Sequence, residues 1–529
     1  MAFLVKKKNK PLTFKQKCEE AAKLATEWDG KKRIVVYKAD TPSVDGPEPE
    51  PPLPEPIVKR TWRVYADIAE EEGQTQLNLE KCAPGNLDEI RDFVDWLSKY
   101  PHLTVLYASR CYLDKRMSEI LSPGLSEHPG LRTLDLRGNF LQDAGVKFLA
   151  EALHKNRALQ RLLLGGNDLH APACQHLARL VRKSHALREL DLGGDEANDV
   201  REEGAAFFAE ALPKSKYLRS LSLAVSGLGV GGTLKFAPVL TPEGGAKLIK
   251  LSLVGNYMQD EGAVAIAEAL AVNVRLRVLR LGYNAITTEG AGRLADALRA
   301  NRMLRVLALG GNPEIRAEGA RCLAEALVAN DKLWSLQLGG CGIGEEGAEH
   351  FAKMLRQNTT LKRLALGGNN VRADGCKFLA DALRENDTLH ALMIPDNNIG
   401  DYGAQFMVST LSEANFTLRD VNLELNGLLD WKVKQDLREL LDRNWDERPH
   451  FDPHVIGYPT DEDDFESGAE SRGSLSREDS FRATDATQLP VGSGTTMSLS
   501  DILGETRKEK GEDGDEENEE LEPVPESYH

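Results

Sequence analysis

Few side chains in this chain stand at spacings that carry chemistry. His450 and His454 lie four residues apart beside Asp452, which on a helix would offer two imidazoles to one metal ion; Pro449 and Pro453 break any helix there. Gly227, Gly229, Gly231 and Gly232 concentrate backbone amides of the kind that cradle phosphate. Lys235 is followed by Phe236, however, so the GxxxxGK(S/T) spacing is missing and an irregular loop is expected. The seven cysteines contain no CxxC pair, which argues against a structural zinc site or a disulfide framework and for a reducing compartment. Cys174, Cys322 and Cys376 read as helix or core filler rather than nucleophiles. Arg472 precedes Ser474 and Ser476, and Arg477 stands three residues before Ser480, a pattern that suits basophilic kinases. No catalytic set, cofactor site or metal site emerges.

The elements that would position these residues come from a repeat. Units begin at Leu131, Leu159, Leu187, Leu218, Leu248, Leu276, Leu304, Leu333, Leu361, Leu389 and Leu418, and the first ten run to 28, 28, 31, 30, 28, 28, 29, 28, 28 and 29 residues. Two degenerate units are expected ahead of them, near Gln74 and at Leu103. Each unit opens on LxxLxL, which turns alternate leucines to one side of a short strand. It continues with GxxxLAxAL, whose apolar groups share one helix face, as do Ala291, Leu294, Ala295 and Leu298. Neither half buries its leucines alone, so the units must stack. Helices are wider than the strand spacing, and the stack must therefore curve with its strands inside.

The ninth position of the unit holds Asn139, Asn167, Asn256, Asn284, Asn312, Asn369, Asn397 and Asn426, with Ser226 and Cys341 as small substitutes. An inward Asn donates and accepts together, which suits a turn facing the next coil. Asp195 departs from the pattern, and the third and fourth units read as having lost their Asn. Their sequences, GGDEANDVREEG and SGLGVGGTLKFAPVL, are expected to form loops bulging from one face. Glu261, Glu289, Glu318, Glu346 and Asp374 precede the helix glycine, where the helix dipole favours negative charge, and read as helix-start residues rather than a catalytic row.

These units resemble the leucine-rich repeats of the ribonuclease-inhibitor type, from Gln74 or Leu131 to Asn444. The resemblance implies an α/β leucine-rich repeat solenoid, a right-handed horseshoe with parallel strands on the concave face and helices on the convex face. That repeat class is shared by ribonuclease inhibitors, Ran GTPase-activating proteins, receptor sensor domains and axonemal proteins, which use the array to hold another protein.

On such a concave face the outward positions are the third, fifth and seventh. Val278, Val306, Ala308, Ala365, Ala391 and Met393 then make a shallow apolar strip, with Lys250, Arg280, Gln337 and Arg363 beside it, Tyr283 one position away, and Arg137 and Arg161 toward the amino end. This strip is the expected partner groove. Ribonuclease inhibition itself is not expected, because the register lacks a set of aromatic anchors.

Charge divides the chain. Of 83 acidic and 66 basic residues, positions 445–529 hold 24 and 7, leaving 59 of each in residues 1–444. An acidic surplus confined to a tail excludes a phosphate-binding protein of the usual basic kind, so no nucleic acid partner is expected. The tail (445–529) reads as disordered, residues 1–40 as a basic helix and short strand, 41–60 as a proline-rich linker, 74–130 as degenerate capping repeats and 131–444 as the array. No run reaches the length that spans a bilayer, and the first residues suit neither a secretory signal nor myristoylation. The expectation is a monomeric cytoplasmic protein-binding scaffold, without cofactor or enzymatic activity, with nucleus or cilium as other compartments. Two further readings follow from the resemblance and the basic amino end: a GTPase activator similar to the Ran activators, or a structural part of a ciliary or cytoskeletal assembly.

Overall fold

A computed structural model describes residues 62–446, apart from 85, 195–197 and 429. Thirteen strands of three residues, from Gln76–Asn78 to Asp420–Asn422, pair in parallel and in strict chain order within one sheet. An α-helix of 11–16 residues follows every strand, and the helix Trp62–Glu72 precedes the first. Parallel neighbours need a crossover between them, and the helix half of each unit supplies it. The chain is an α/β solenoid. Helices about 10 Å across cannot keep pace with strands about 4.8 Å apart, so the stack bends with its strands on the concave side and its helices on the convex side.

The register explains the cohesion. Leu251, Leu279, Leu307, Leu336, Leu364 and Leu392 occupy the centres of six consecutive strands and pair directly with one another. All are buried, as is the helix stripe Ala291, Leu294, Ala295 and Leu298. Each leucine so enclosed contributes about 1.5–3 kcal/mol over exposure. Ten of the helices, from Lys115–Glu127 to Gly400–Glu413 apart from Ala171–Lys183, carry a glycine where they meet a neighbour, which lets them approach closely. A Cβ on Gly290 would lie 2.8 Å from the Ile286 side chain and 3.1 Å from that of Ala263. Aromatic residues close the amino end: Trp62 meets Phe93 edge-on at 5.1 Å, and Trp96 stacks on Phe93 and Tyr100 at 5.7 and 5.0 Å. At the other end the helix Trp431–Asp446 covers the last unit with Val433 and Leu437.

The asparagine row is an unbroken relay over much of the array. The amide oxygen of Asn284 accepts the N–H of Asn256 at 2.9 Å, and Asn284 Nδ2 donates to the carbonyls of Leu253 and Gly282 at 2.8 and 3.0 Å. One expectation is corrected here. The third unit keeps its asparagine: Asn198, three residues after Asp195, accepts from the N–H groups of Asn167 and Leu169 at 3.1 Å. The extra residues of that unit precede the asparagine, so a count from the unit's first leucine misses it.

A second correction concerns the fourth unit. Gly229–Leu240 is a helix, not a loop, with Phe236 and Leu240 in the core and Gly232 against Ala205. The turn at residues 241–247 follows that helix instead. A second relay lies at the helix ends: Asn273, Asn301, Asn330, Asn358, Asn386 and Asn415, three residues before a unit's leading leucine, are all buried. Asn301 Nδ2 donates to Leu270 O at 2.7 Å while its oxygen accepts from Met303 and Leu304.

The amino-terminal segment, the proline-rich linker, nearly all of the acidic tail, His450, His454 and the serines Ser474, Ser476 and Ser480 lie outside the described residues. No described helix is long and apolar enough to cross a membrane.

Candidate functional site

Strand alternation directs the third and fifth residues of each unit away from the helices, while the fourth and sixth enter the core. This outward face has two chemically different parts.

Toward the amino end it is charged and internally paired. Asp135 is buried beneath Arg137, whose Nε and Nη2 donate to it at 3.0 and 2.7 Å. Arg161 Nε donates at 2.8 Å to Glu189 on the adjacent strand. Burial pushes the Asp191 carboxyl above the ordinary carboxylate range, against the opposing pull of the Ser222 hydroxyl, the Gly193 N–H and Arg137.

Toward the carboxyl end six consecutive strands bring most of the predicted groove together. Lys250, Val278, Val306, Ser335, Arg363 and Ala391 follow one another at the third position. Ser252, Arg280, Ala308, Gln337, Ala365 and Met393 do so at the fifth. Val278, Val306, Ala308 and Met393 are buried, so the strip forms a closed floor. Lys250, Gln337 and Arg363 are half-buried, and Arg280 is exposed. Tyr283 is 43% exposed at a turn with φ 54°, its N–H donating to Gly310 O at 2.9 Å and its ring over Gly311. Exposed Arg137 and half-buried Arg161 belong to the charged part, separated from Lys250 by the strands Glu189–Asp191 and Ser220–Ser222.

One row was missed by reading only alternate positions. The second residue of each unit is Arg132, Gln160, Arg188, Arg219, Ile249, Arg277, Arg305, Trp334, Lys362, His390 and Arg419. Each donates its backbone N–H to the carbonyl of the preceding member at 2.7–2.9 Å, with Arg132 donating to Thr104. The row is therefore physically contiguous along the amino-terminal edge of the strands. Its signal was visible as seven Arg or Lys at one repeat position.

No group of three or more His, Cys, Asp or Glu among the described residues is placed to hold a metal. Burial pushes the thiols of Cys111, Cys174, Cys341 and Cys376 up to about 12.

A curved sheet of one-strand, one-helix coils built on LxxLxL defines a leucine-rich-repeat solenoid. The chain is a leucine-rich-repeat protein: the Leucine Rich repeat family model matches residues 129–150, 246–267, 272–295, 300–324, 329–352 and 357–380. No curated protein matches the chain. Among solved structures it is similar to Leiomodin-1 Actin-Binding Site 2, at 21% identity over 30% of this chain and 91% of that one, with a TM-score of 0.28. It is also similar to the tropomodulin C-terminal domain of Caenorhabditis elegans, at 15% identity over 31% and 95%, with a TM-score of 0.28. Likenesses of this extent bear on neither partner nor site.

Proposed function

We propose that the protein is a non-enzymatic binding scaffold of the ribonuclease-inhibitor repeat type, acting as a monomer, that seats a segment of another protein on its sheet face between Lys250 and Met393. The repeat type is supported by a full α-helix in every described unit. The observation that carries the function is the step between Arg280 and its neighbours. Arg280 stands exposed on a floor where Val278, Val306 and Ala308 are buried, and exposed Tyr283 rises three residues further on. Arg and Tyr are the side chains that most often anchor protein interfaces, and a low floor around them lets a partner's backbone approach. The six described cysteines are free, in keeping with a reducing compartment.

The test compares partners retained by the full chain with those retained by Arg280→Glu and Tyr283→Ala variants of unchanged thermal stability. A partner held by the parent and lost at least tenfold from both variants supports the reading. Retention of the same proteins by all three removes it.

A further inference from the structure

The edge row of cations is a second surface, distinct from the sheet floor. Between Arg188 and Lys362 it crosses seven consecutive units and includes exposed Arg277 and half-buried Arg219 and Arg305, whereas Arg419, at the same position two units on, is buried. Backbone hydrogen bonds hold its members at strand spacing, so six intervals of about 4.8 Å place these charges along about 29 Å. Among the described residues Arg219 carries no ion pair and donates to the carbonyls of Lys216 and Leu218. Arg305 donates to the Lys332 carbonyl and lies 5.4 Å from the centre of the Trp334 ring. Burial, with Arg188 and Arg275 nearby, pushes the Arg219 guanidinium below its ordinary range, as expected where cations crowd. The row is not a consequence of general basicity, since residues 1–444 carry equal numbers of acidic and basic side chains.

The described chain ends beside Arg419, two units beyond Lys362 and buried at the same repeat position. Trp445 Nε1 donates to the Arg419 carbonyl at 3.1 Å, and the Arg419 guanidinium lies 5.2 Å from the centre of the Trp445 ring. Beyond Asp446 the sequence carries the surplus of acid, densest at Glu512–Glu522, where eight of eleven residues are Asp or Glu. Eleven extended residues span about 36–40 Å, enough to cover the row from end to end. The intervening residues 447–511 number 65, and a linker of that length with unrestricted conformation has a root-mean-square reach of about 40–48 Å. A tether of that length holds the segment near the row at an effective concentration of order millimolar or somewhat below.

We infer that the cationic edge row binds an extended acidic polypeptide, and that its occupant is the chain's own segment Glu512–Glu522. The row thus gives the protein an electrostatic docking surface that an external acidic ligand reaches only by displacing the tail. Charge alone sets the match, so the contact weakens with salt.

The experiment uses a fluorescein-labelled synthetic peptide of residues 508–525, titrated by anisotropy at 50 mM and 500 mM salt. The receptors are the full chain, a full chain with all eight acids of 512–522 changed to their amides, and that variant carrying also Arg277→Gln and Arg305→Gln. The amide variant is expected to bind the peptide at least tenfold more tightly than the parent at 50 mM salt, because its own tail no longer competes. The added Arg277→Gln and Arg305→Gln should reverse most of that gain while leaving the unfolding temperature unchanged, and 500 mM salt should abolish it. Equal affinity of parent and amide variant overturns the inference, as does failure of the peptide to bind either. A single-stranded oligonucleotide that binds the amide variant while the peptide does not would also overturn it, identifying a nucleic-acid surface. Carbodiimide coupling of the full chain gives an independent readout: linkage of carboxylates in 512–522 to Lys362 or Lys332 supports the contact, and linkage only to the helical face refutes it.

Discussion

Asn198 Oδ1 accepts the backbone N–H of Asn167 at 3.1 Å, carrying the asparagine relay across the one described coil whose asparagine is displaced by three residues. Its Nδ2 donates to Leu164 O and Leu192 O at 3.1 and 2.8 Å, so a single buried amide serves two coils in both directions. Replacement by Ala strands the N–H groups of Asn167 and Leu169 and the carbonyl of Leu192, while Leu164 O keeps the bond from Asn167 Nδ2 at 3.0 Å, and each unsatisfied group costs about 1–3 kcal/mol. Asn198→Ala should therefore lower the urea midpoint substantially. Asn198→Asp should be no better than Ala, because the carboxylate retains the acceptors, loses the donor and adds a buried charge. A midpoint equal to the parent's in either variant would contradict the relay.

The eighth position of the unit takes a left-handed conformation, and glycine fills it at Gly255, Gly311, Gly340 and Gly368, with φ between 64 and 76°. Val225 occupies the same place at φ 50°. A β-branched residue there is strained, and its side chain crowds the site where Gly255 would carry a Cβ, 3.1 Å away. Val225→Gly should stabilise the chain by about 1 kcal/mol, net of glycine's greater freedom when unfolded. Chemical denaturation measures it, and a loss of stability would mean the valine packs usefully.

Legibility in the sequence followed the range over which each feature acts. Leucines recurring every 28 or so residues can leave water only by stacking, so the solenoid, its single parallel sheet and the burial of Leu279 or Leu307 were readable from spacing. The helix Gly229–Leu240 was not, because three glycines and Pro238 contradict helix propensity. Packing of Phe236 and the close fit at Gly232 overrode that local preference. The closed floor was also hidden: Val278 and Val306 alternate as outward residues should, and only the neighbouring strands' side chains enclose them. The edge row escaped because isolated Arg and Lys at a strand's start read as ordinary solvated charge. Their meaning appears when the coils place them rung over rung.

The half-buried Asp191 carboxyl makes stability depend on pH in a definite direction. Its folded-state pKa is raised by burial, so the native state holds a proton that the unfolded chain would release. Between the ordinary carboxylate pKa and the raised folded value, stability falls as pH rises. Asp191→Asn keeps an acceptor for Gly193 N–H without the charge. The variant should melt higher than the parent at pH 7, with the gap narrowing as pH drops through the raised pKa and closing below the unfolded value. A gap that widens toward acid would show that the carboxylate is stabilised in the fold.

The cysteines report whether the coils open one at a time or together. Cys111, Cys174, Cys341 and Cys376 are 2% exposed or less and sit in separate coils, and burial pushes each thiol up to about 12. At pH 8 almost none of any one is thiolate, and none is reachable without local opening. Nearest-neighbour coupling in a solenoid makes an inner coil more costly to open than one near an end. Iodoacetamide at pH 8 in native buffer should therefore label Cys111, near the amino cap, before Cys174, and Cys174 before Cys341. Cys82 and Cys322, half-buried and also raised by burial, should react ahead of all four. Mass spectrometry of the labelled peptides over time resolves the order. Simultaneous labelling of the four buried thiols, at the rate of loss of circular dichroism in denaturant, would instead make the array one cooperative unit.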